Sequence, residues 1–320
     1  MPLQFDMPLP ELYKYTGRNP RPDDFDVFWD QSLAELSAVD PQVELMPADF
    51  QCASAECFDL YFTGIGGARI HAKLLHPCQA VEPHPAVLMF HGYYGNAGDW
   101  VSKLAYTSQG FTVAALDCRG QGGSSQDIGG VNGWTLRGHI VRGLADGPEH
   151  LLFRQVYLDT AQLARIVSRM KQVDPKRIGA TGGSQGGGLT LACAALAPEI
   201  RRAAPIFPFL CDYRRTWEID LAENAYEELR DYFRKFDPLH QREEEIFTRL
   251  GYIDVQFLCP RIKAEVLMTV GLMDKICPPS TQFAAYNKIR SQKSLLLYPD
   301  YGHEDVPGNQ DRLFAFLSAL

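Results

Sequence analysis

The spacing of apolar residues divides the chain into an arm, a hairpin and a long alternating region. The first 22 residues hold five prolines and read as an extended arm. Asp23 sits where a helix N-cap belongs. Phe25, Phe28, Trp29, Leu33 and Leu36 follow at intervals of three and four, which predicts a helix over 24–38. The segments 57–62 and 69–75 flank the turn residues Gly66-Gly67 and predict a hairpin. Beyond it, short apolar runs at 86–90, 111–116, 177–181, 203–207, 265–270 and 294–298 show no polar face, as strands covered on both sides do. Helical stripes lie between them. One covers 154–171, through Val156, Leu163, Ile166, Val167 and Met170; others cover 189–197, 280–290 and 309–320. Strands alternating with helices predict an α/β fold, with a mostly parallel central sheet and helices on both faces. The connection between 207 and 265 far exceeds the roughly one dozen residues a crossover needs. It is charged and helical in character, as in 222–235, and reads as a helical insertion over about 208–263, on the carboxyl edge of the sheet. The whole of 1–320 reads as one domain carrying the arm (1–22) and this insertion.

Composition narrows the picture. With 320 residues, 46% hydrophobic and 22% charged, the chain is in the globular range. A chain of this size buries about 75% of its unfolded surface, so its core needs no staple. The net charge of −8 argues against nucleic acid or an anionic membrane as partner, because both require clustered Lys and Arg. No run of about 18 apolar residues predicts a membrane span. The opening residues Met1 to Asp6 have neither a basic nor an apolar leader region, so a cytoplasmic location is expected. The cysteines at 52, 57, 78, 118, 193, 211, 259 and 277 include no C-x-x-C pair and read as buried free thiols. No metal-ligand spacing is seen among His, Asp and Glu, and neither a metal nor a cofactor is expected.

The sharpest local feature is Gly182-Gly183-Ser184-Gln185-Gly186-Gly187-Gly188, between the strand at 177–181 and the apolar helix at 189–197. G-x-S-x-G between strand and helix is a nucleophile elbow: the turn is sharp enough that residues two away from the serine must be small. A Gly-rich phosphate loop is the rival reading, but the lysine of a P-loop and the spacing of a dinucleotide fingerprint are both missing. A serine nucleophile needs a base, and the base an orienting carboxylate. Two histidines follow Ser184. His240 lies in the insertion, and His303 lies just after the strand at 294–298. His303 is the expected base. Asp274, after the strand at 265–270, is the expected carboxylate. Asp300 is its rival within the histidine's own loop, while Asp254 and Asp237 read as solvated charges. Gln185, directly after the serine, and Tyr93, in His91-Gly92-Tyr93-Tyr94-Gly95, are the expected donors of an oxyanion hole. His91 precedes the serine and reads as a packed structural histidine. Arg119, in Arg119-Gly120-Gln121-Gly122, reads as a brace between loops. Cys277 has no base assigned to it and is not expected to be a second nucleophile.

Taken together, Asn19-Pro20-Arg21-Pro22-Asp23-Asp24-Phe25-Asp26, His91-Gly92-Tyr93, Arg119-Gly120-Gln121-Gly122, Gly182 to Gly186, Gly271 to Ser280 and Tyr301-Gly302-His303-Glu304 resemble one family from about residue 8 to the end. It is the acetyl xylan esterase and cephalosporin C deacetylase family, carbohydrate esterase family seven. The resemblance implies an α/β-hydrolase with Ser184, Asp274 and His303 as triad and the N–H groups of Tyr93 and Gln185 as oxyanion hole. It also implies a cytoplasmic homohexamer, a dimer of trimers, with active sites opening toward an internal cavity. Its substrates would be acetyl esters of short xylo-oligosaccharides and of cephalosporin C, and many members also form peracids. A thioesterase or peptidase of the same fold, and a non-catalytic hydrolase-like binding module, are the alternatives. The acyl pocket is expected to be small, because Tyr93 and Phe207-Pro208-Phe209 would crowd it.

Overall fold

The computed structural model describes residues 5–131 and 139–320; the first four residues of the arm lie outside them. In chain order the helices are α1 (Leu9–Leu12), α2 (Phe25–Ser37), α3 (Leu104–Thr107), α4 (Leu152–Ser168), α5 (Gln185–Leu196), α6 (Tyr213–Glu218), α7 (Glu227–Phe236), α8 (Glu243–Gly251), α9 (Val255–Leu258), α10 (Pro279–Lys288) and α11 (Asn309–Ser318). The strands are β1 (Glu44–Pro47), β2 (Ala55–Thr63), β3 (Arg69–Pro77), β4 (His84–Phe90), β5 (Thr112–Leu116), β6 (Val173–Gly183), β7 (Ile200–Ile206), β8 (Glu265–Gly271) and β9 (Lys293–Tyr298). They form one nine-stranded sheet in the order β1-β2-β3-β5-β4-β6-β7-β8-β9. The hairpin edge, β1 to β3, runs antiparallel, and every pairing from β5 through β4 to β9 is parallel.

The central strands are buried along nearly their whole length, which is why they read as continuous apolar runs. Their side chains still alternate between two cores. Leu74, Leu88 and Ala114 face the core under α2, α4, α5 and the 208–264 segment. Their neighbours Leu75, Val87 and Val113 face a smaller core closed by Tyr106, Phe111, Leu313 and Leu317. Helix α2 turns Phe25, Trp29, Ser32 and Leu36 inward, and Trp29 Nε1 donates to the Tyr252 carbonyl at 2.9 Å.

Three sequence expectations need correction. Helix α2 begins one residue later than the Asp23 cap implied: Asp24 precedes it, and its carboxylate accepts from the Tyr252 hydroxyl instead of capping the helix. Strand β1 was not anticipated; all four of its residues are exposed, so it shows no burial period. Asp237 and Asp254 are buried, not solvated. Asp237 accepts from the N–H groups of Gln241 and Arg242. Asp254 caps α9 through the Gln256 N–H and accepts from the Asp212 N–H with both oxygens at 3.0 Å.

Asp212 is buried beside it and clasps the arm. Its carboxylate accepts from the Tyr15 hydroxyl at 2.8 Å and the Asn19 N–H at 2.8 Å, and from the Arg18 N–H. Asn19 Nδ2 also donates to the Phe247 carbonyl in α8. The arm is therefore pinned to the segment between β7 and β8. Among the described residues no helix is long and apolar enough to cross a membrane.

Candidate active site

Ser184 stands at the carboxyl end of β6, and α5 begins at the next residue. Its φ of 57° and ψ of −118° place it in a region L-residues rarely occupy. The fold over-determines that conformation. The Ser184 N–H donates to the Ile206 carbonyl at 2.8 Å, and its own carbonyl accepts from Gly188 and Phe209. The flanking glycines are obligatory for a steric reason: a Cβ on Gly182 would sit 2.4 Å from the Phe90 carbonyl oxygen, and one on Gly186 2.0 Å from the same atom. The turn thus holds the serine side chain at the start of α5, where first-turn N–H groups, that of Gln185 among them, have no partner within the helix.

The ends of β8 and β9 supply the acid and the imidazole. His303 Nδ1 lies 2.8 Å from Asp274 Oδ2. Asp274 is fully buried, whereas the imidazole keeps 19% exposure. The carboxylate cannot swing: Oδ1 accepts from the N–H groups of Ile276 at 2.9 Å and Cys277 at 2.8 Å, and Oδ2 from Gln282 Nε2 at 3.3 Å. The two loops meet at Gly271, where a Cβ would lie 2.5 Å from the Tyr301 carbonyl oxygen. The His303 ring rests 5.6 Å from that of Phe207. Ser184 and His303 line one cavity of about 680 Å³, with Phe207, Glu304, Val306 and Asn309 on its wall. The rivals are elsewhere or engaged: His240 stacks on Phe233, and His91 Nδ1 donates to the Gly92 carbonyl at 2.7 Å while Nε2 accepts from the Cys118 N–H at 3.0 Å. Burial pushes the His91 pKa down, so the ring stays neutral as this bonding requires.

The loop after β4 carries Tyr93, whose ring packs edge-on against Phe209 at 5.7 Å and His139 at 5.1 Å. The Gly122 N–H ties this loop to the Gly95 carbonyl at 2.9 Å. Beneath it lies a feature that sequence reasoning missed. The amides of Gln121 and Gln185 bond each other reciprocally, at 2.7 and 3.0 Å, and so lock the side chain of the residue after the serine. The only sequence hint was a glutamine between two glycines in a loop after a buried strand. Arg119 beside it is a brace: it is fully buried, pairs with both oxygens of Asp159 at 2.7 Å and reaches the Ile65 carbonyl and Gln155.

Cys277 is the other residue whose position the sequence did not reveal. Burial first, then the Asp274 charge, push its thiol well above the usual range, with the nearby Ser184 side chain acting the other way. A thiol held protonated in this way is a poor nucleophile. All eight cysteines are free, but Cys78 is exposed and Cys52 half-buried, against the expectation that all would be buried.

A serine on a strained strand-to-helix turn and a carboxylate–imidazole pair at the carboxyl edge of a mostly parallel sheet belong to the α/β-hydrolase fold. Solved structures agree. The esterase from an Arctic intertidal metagenomic library, 15% identical, shares the fold with a TM-score of 0.56 over 86% of this chain and 98% of that one. The chain belongs to the acetyl xylan esterase family (AXE1), a family of carboxylic ester hydrolases, whose model matches residues 1–320. Acetyl xylan esterase 1 from Thermoanaerobacterium sp. JW/SL YS485 is 58% identical, with a TM-score of 0.97 over 98% of this chain and 99% of that one. The acetyl xylan esterase from Paenibacillus sp. R4 is 37% identical, with a TM-score of 0.93 over 98% and 99%. The acetyl esterase Axe7A of Xylanibacter ruminicola is 27% identical over 302 residues; the match spans 92% of this chain and 66% of that longer protein.

Proposed function

We propose that this protein is a serine esterase that removes acetyl groups from short xylo-oligosaccharides and from cephalosporin C-type esters through an acetyl-Ser184 intermediate. The observation that carries the reading is the contact between His303 Nδ1 and Asp274 at 2.8 Å, on the wall of the cavity that Ser184 also lines. In this reading neutral His303 takes the Ser184 proton as the oxygen attacks the acetyl carbonyl. Asp274 fixes the Nδ1–H tautomer and stabilises the imidazolium. The N–H groups of Tyr93 and Gln185 receive the oxyanion, an interaction worth about 3–4 kcal/mol per donor in comparable sites. The alcohol leaves with the proton from His303, and water repeats the cycle on the acetyl-enzyme.

The small acyl pocket is part of the proposal, supported by the packing of Tyr93 on Phe209 and of Phe207 against His303. So are a cytoplasmic location and a homohexamer, for which light scattering should return six times the chain mass of 35.9 kDa. The deciding test is a hydrolysis panel of acetylated xylo-oligosaccharides, cephalosporin C and 4-nitrophenyl esters from acetate to octanoate. The expected kcat/KM falls at least tenfold beyond about four carbons, because overpacking by 1.4 kcal/mol is a factor of ten. A rise with chain length would point to a lipid or thioester substrate.

A further inference from the structure

We propose that Cys277, His303 and Asp274 also form a binding site for a thiophilic divalent cation of the Zn²⁺ class, and that filling it switches the esterase off. One ligand atom from each residue, the Cys277 sulfur, a His303 ring nitrogen and an Asp274 carboxylate oxygen, lies within 4.8 Å of the other two. A triangle with edges of at most that length has a point no more than about 2.8 Å from each corner, against about 2.3 Å for Zn–S and about 2.0–2.1 Å for Zn–N, so closing it needs movements of at most roughly 0.5–0.8 Å. The donor set of sulfur, nitrogen and oxygen suits Zn²⁺ or Cd²⁺ and does not suit Mg²⁺ or Ca²⁺, which demand shells of oxygen. The charges also match: a thiolate, a carboxylate and a neutral imidazole balance a divalent cation.

Two neighbours complete the case. The Ser184 side chain is near enough to the Cys277 thiol to oppose its upward shift, and its hydroxyl is a candidate for a fourth position. Ser184 and His303 both line the cavity, which gives a cation a route to the His303 ring. Gln282 is fully buried, donates its amide nitrogen to Asp274 and Cys277, and leaves its amide oxygen without a donor among the described residues. The 3.3 Å bond from Gln282 Nε2 to Asp274 is the longest of the four described bonds that hold the carboxylate, and the one most readily exchanged for a metal–oxygen bond.

The chemistry of binding is a simple exchange. The Cys277 S–H bond breaks, its proton passes to solvent and a sulfur–metal bond forms; nothing is oxidised or reduced. Inhibition follows from the count of lone pairs. A neutral imidazole has one, and the reaction needs it to take the Ser184 proton. Metallation at either ring nitrogen removes that base. The consequence for hydrolysis rests on the esterase reading above; the cation site itself does not.

The test uses full-length protein in metal-free buffer, with the accessible thiols removed by Cys52→Ser and Cys78→Ser. Cd²⁺ is titrated while the thiolate-to-metal absorption band is followed. Zn²⁺ is titrated against 4-nitrophenyl acetate hydrolysis, each variant being normalised to its own metal-free rate. One thiolate-bound Cd²⁺ per chain is expected, with hydrolysis lost in step with Zn²⁺ and both effects reversed by chelator. Mg²⁺ and Ca²⁺ at equal concentration should do neither. Adding Cys277→Ala should abolish the band and raise the Zn²⁺ concentration for half-inhibition at least tenfold. The near-isosteric Cys277→Ser gives the same reading should the alanine variant fail to fold. A band and a half-inhibition point unchanged by loss of Cys277 would overturn the proposal, and so would Cd²⁺ bound at Cys277 with hydrolysis untouched. Metal-free protein that cleaves no acetate ester would instead defeat the esterase reading, and the absorption titration would still report on the cation site.

Discussion

Asp274 and Asp254 are equally hidden from solvent, yet they sit in networks of opposite kinds. Among the described residues every donor to Asp254 is a backbone N–H or a glutamine amide, from Asp212 and Gln256. Nothing in that set can carry a proton elsewhere, and the result is a clasp. Asp274 has a similar cradle on one oxygen, but its other oxygen holds an imidazole that reaches the cavity. Burial and the neighbouring Asp212 charge push the Asp254 pKa up, although it lies away from the cavity that Ser184 lines. A perturbed carboxyl is therefore a weak pointer to function by itself. What distinguishes the two is that the last hydrogen-bond partner of Asp274 is an imidazole open to a cavity.

The contrast can be tested most severely at Asp274. Asp274→Asn should lower kcat by on the order of 10³–10⁴ with the fold intact, because an amide stabilises the wrong imidazole tautomer. Ser184→Ala and His303→Ala should each cost about 10³ or more, and the double variant little beyond either, as expected of groups that act together. Additive losses would separate the two residues and defeat the shared mechanism. At the clasp the expected damage is of the other kind. Asp212→Ala leaves the Tyr15 hydroxyl and the N–H groups of Arg18 and Asn19 without their acceptor. Denaturant unfolding should show about 2–4 kcal/mol lost, with kcat per folded molecule nearly unchanged. A clasp variant that folds normally but loses turnover would erase the distinction.

Buried histidines extend the comparison to a smaller effect. His76 and His84 share the Thr112 hydroxyl, at 2.9 and 2.8 Å, between β3, β4 and β5. Burial pushes His76 down to about 4, and His84 shifts the same way. The unfolded chain binds these protons near the ordinary value of about 6.5 and the folded one only well below it. Stability present above about pH 6.5 is therefore lost as pH falls toward 4, by roughly 3 kcal/mol for His76. Thermal unfolding followed from pH 7.5 to 5 should show the decline, and His76→Gln should flatten it.

Much of this molecule was legible because its decisive signals are local. The apolar runs became β4 to β9 within a few residues of their expected ends, since a strand covered on both faces cannot hide its composition. The glycines around Ser184 were legible for the same reason: the clash they avoid, with the Phe90 carbonyl, follows from the turn itself. What stayed hidden depends on partners far away in the chain. Asp254 sits in a charged segment and looks solvated until the Asp212 N–H is placed beside it. The grouping of Cys277 and Asp274 with His303, and the pairing of Gln121 with Gln185, join loops from different strands. Strand β1 was invisible for a different reason, since an exposed edge of four residues has no periodicity to read.

The arm's attachment has a consequence for how the chain is made. Arg18 and its acceptor Asp212 are 194 residues apart. At about 5–20 residues per second, synthesis leaves the arm without its anchor for roughly 10–40 s, while the strands up to β7 are already emerging. The arm, made long before its anchor, is thus among the last segments to find its place. Closing the molecule is a late event, governed by delivery of the segment before β8, and a nascent chain halted short of residue 212 should present its arm to proteases that the finished chain resists.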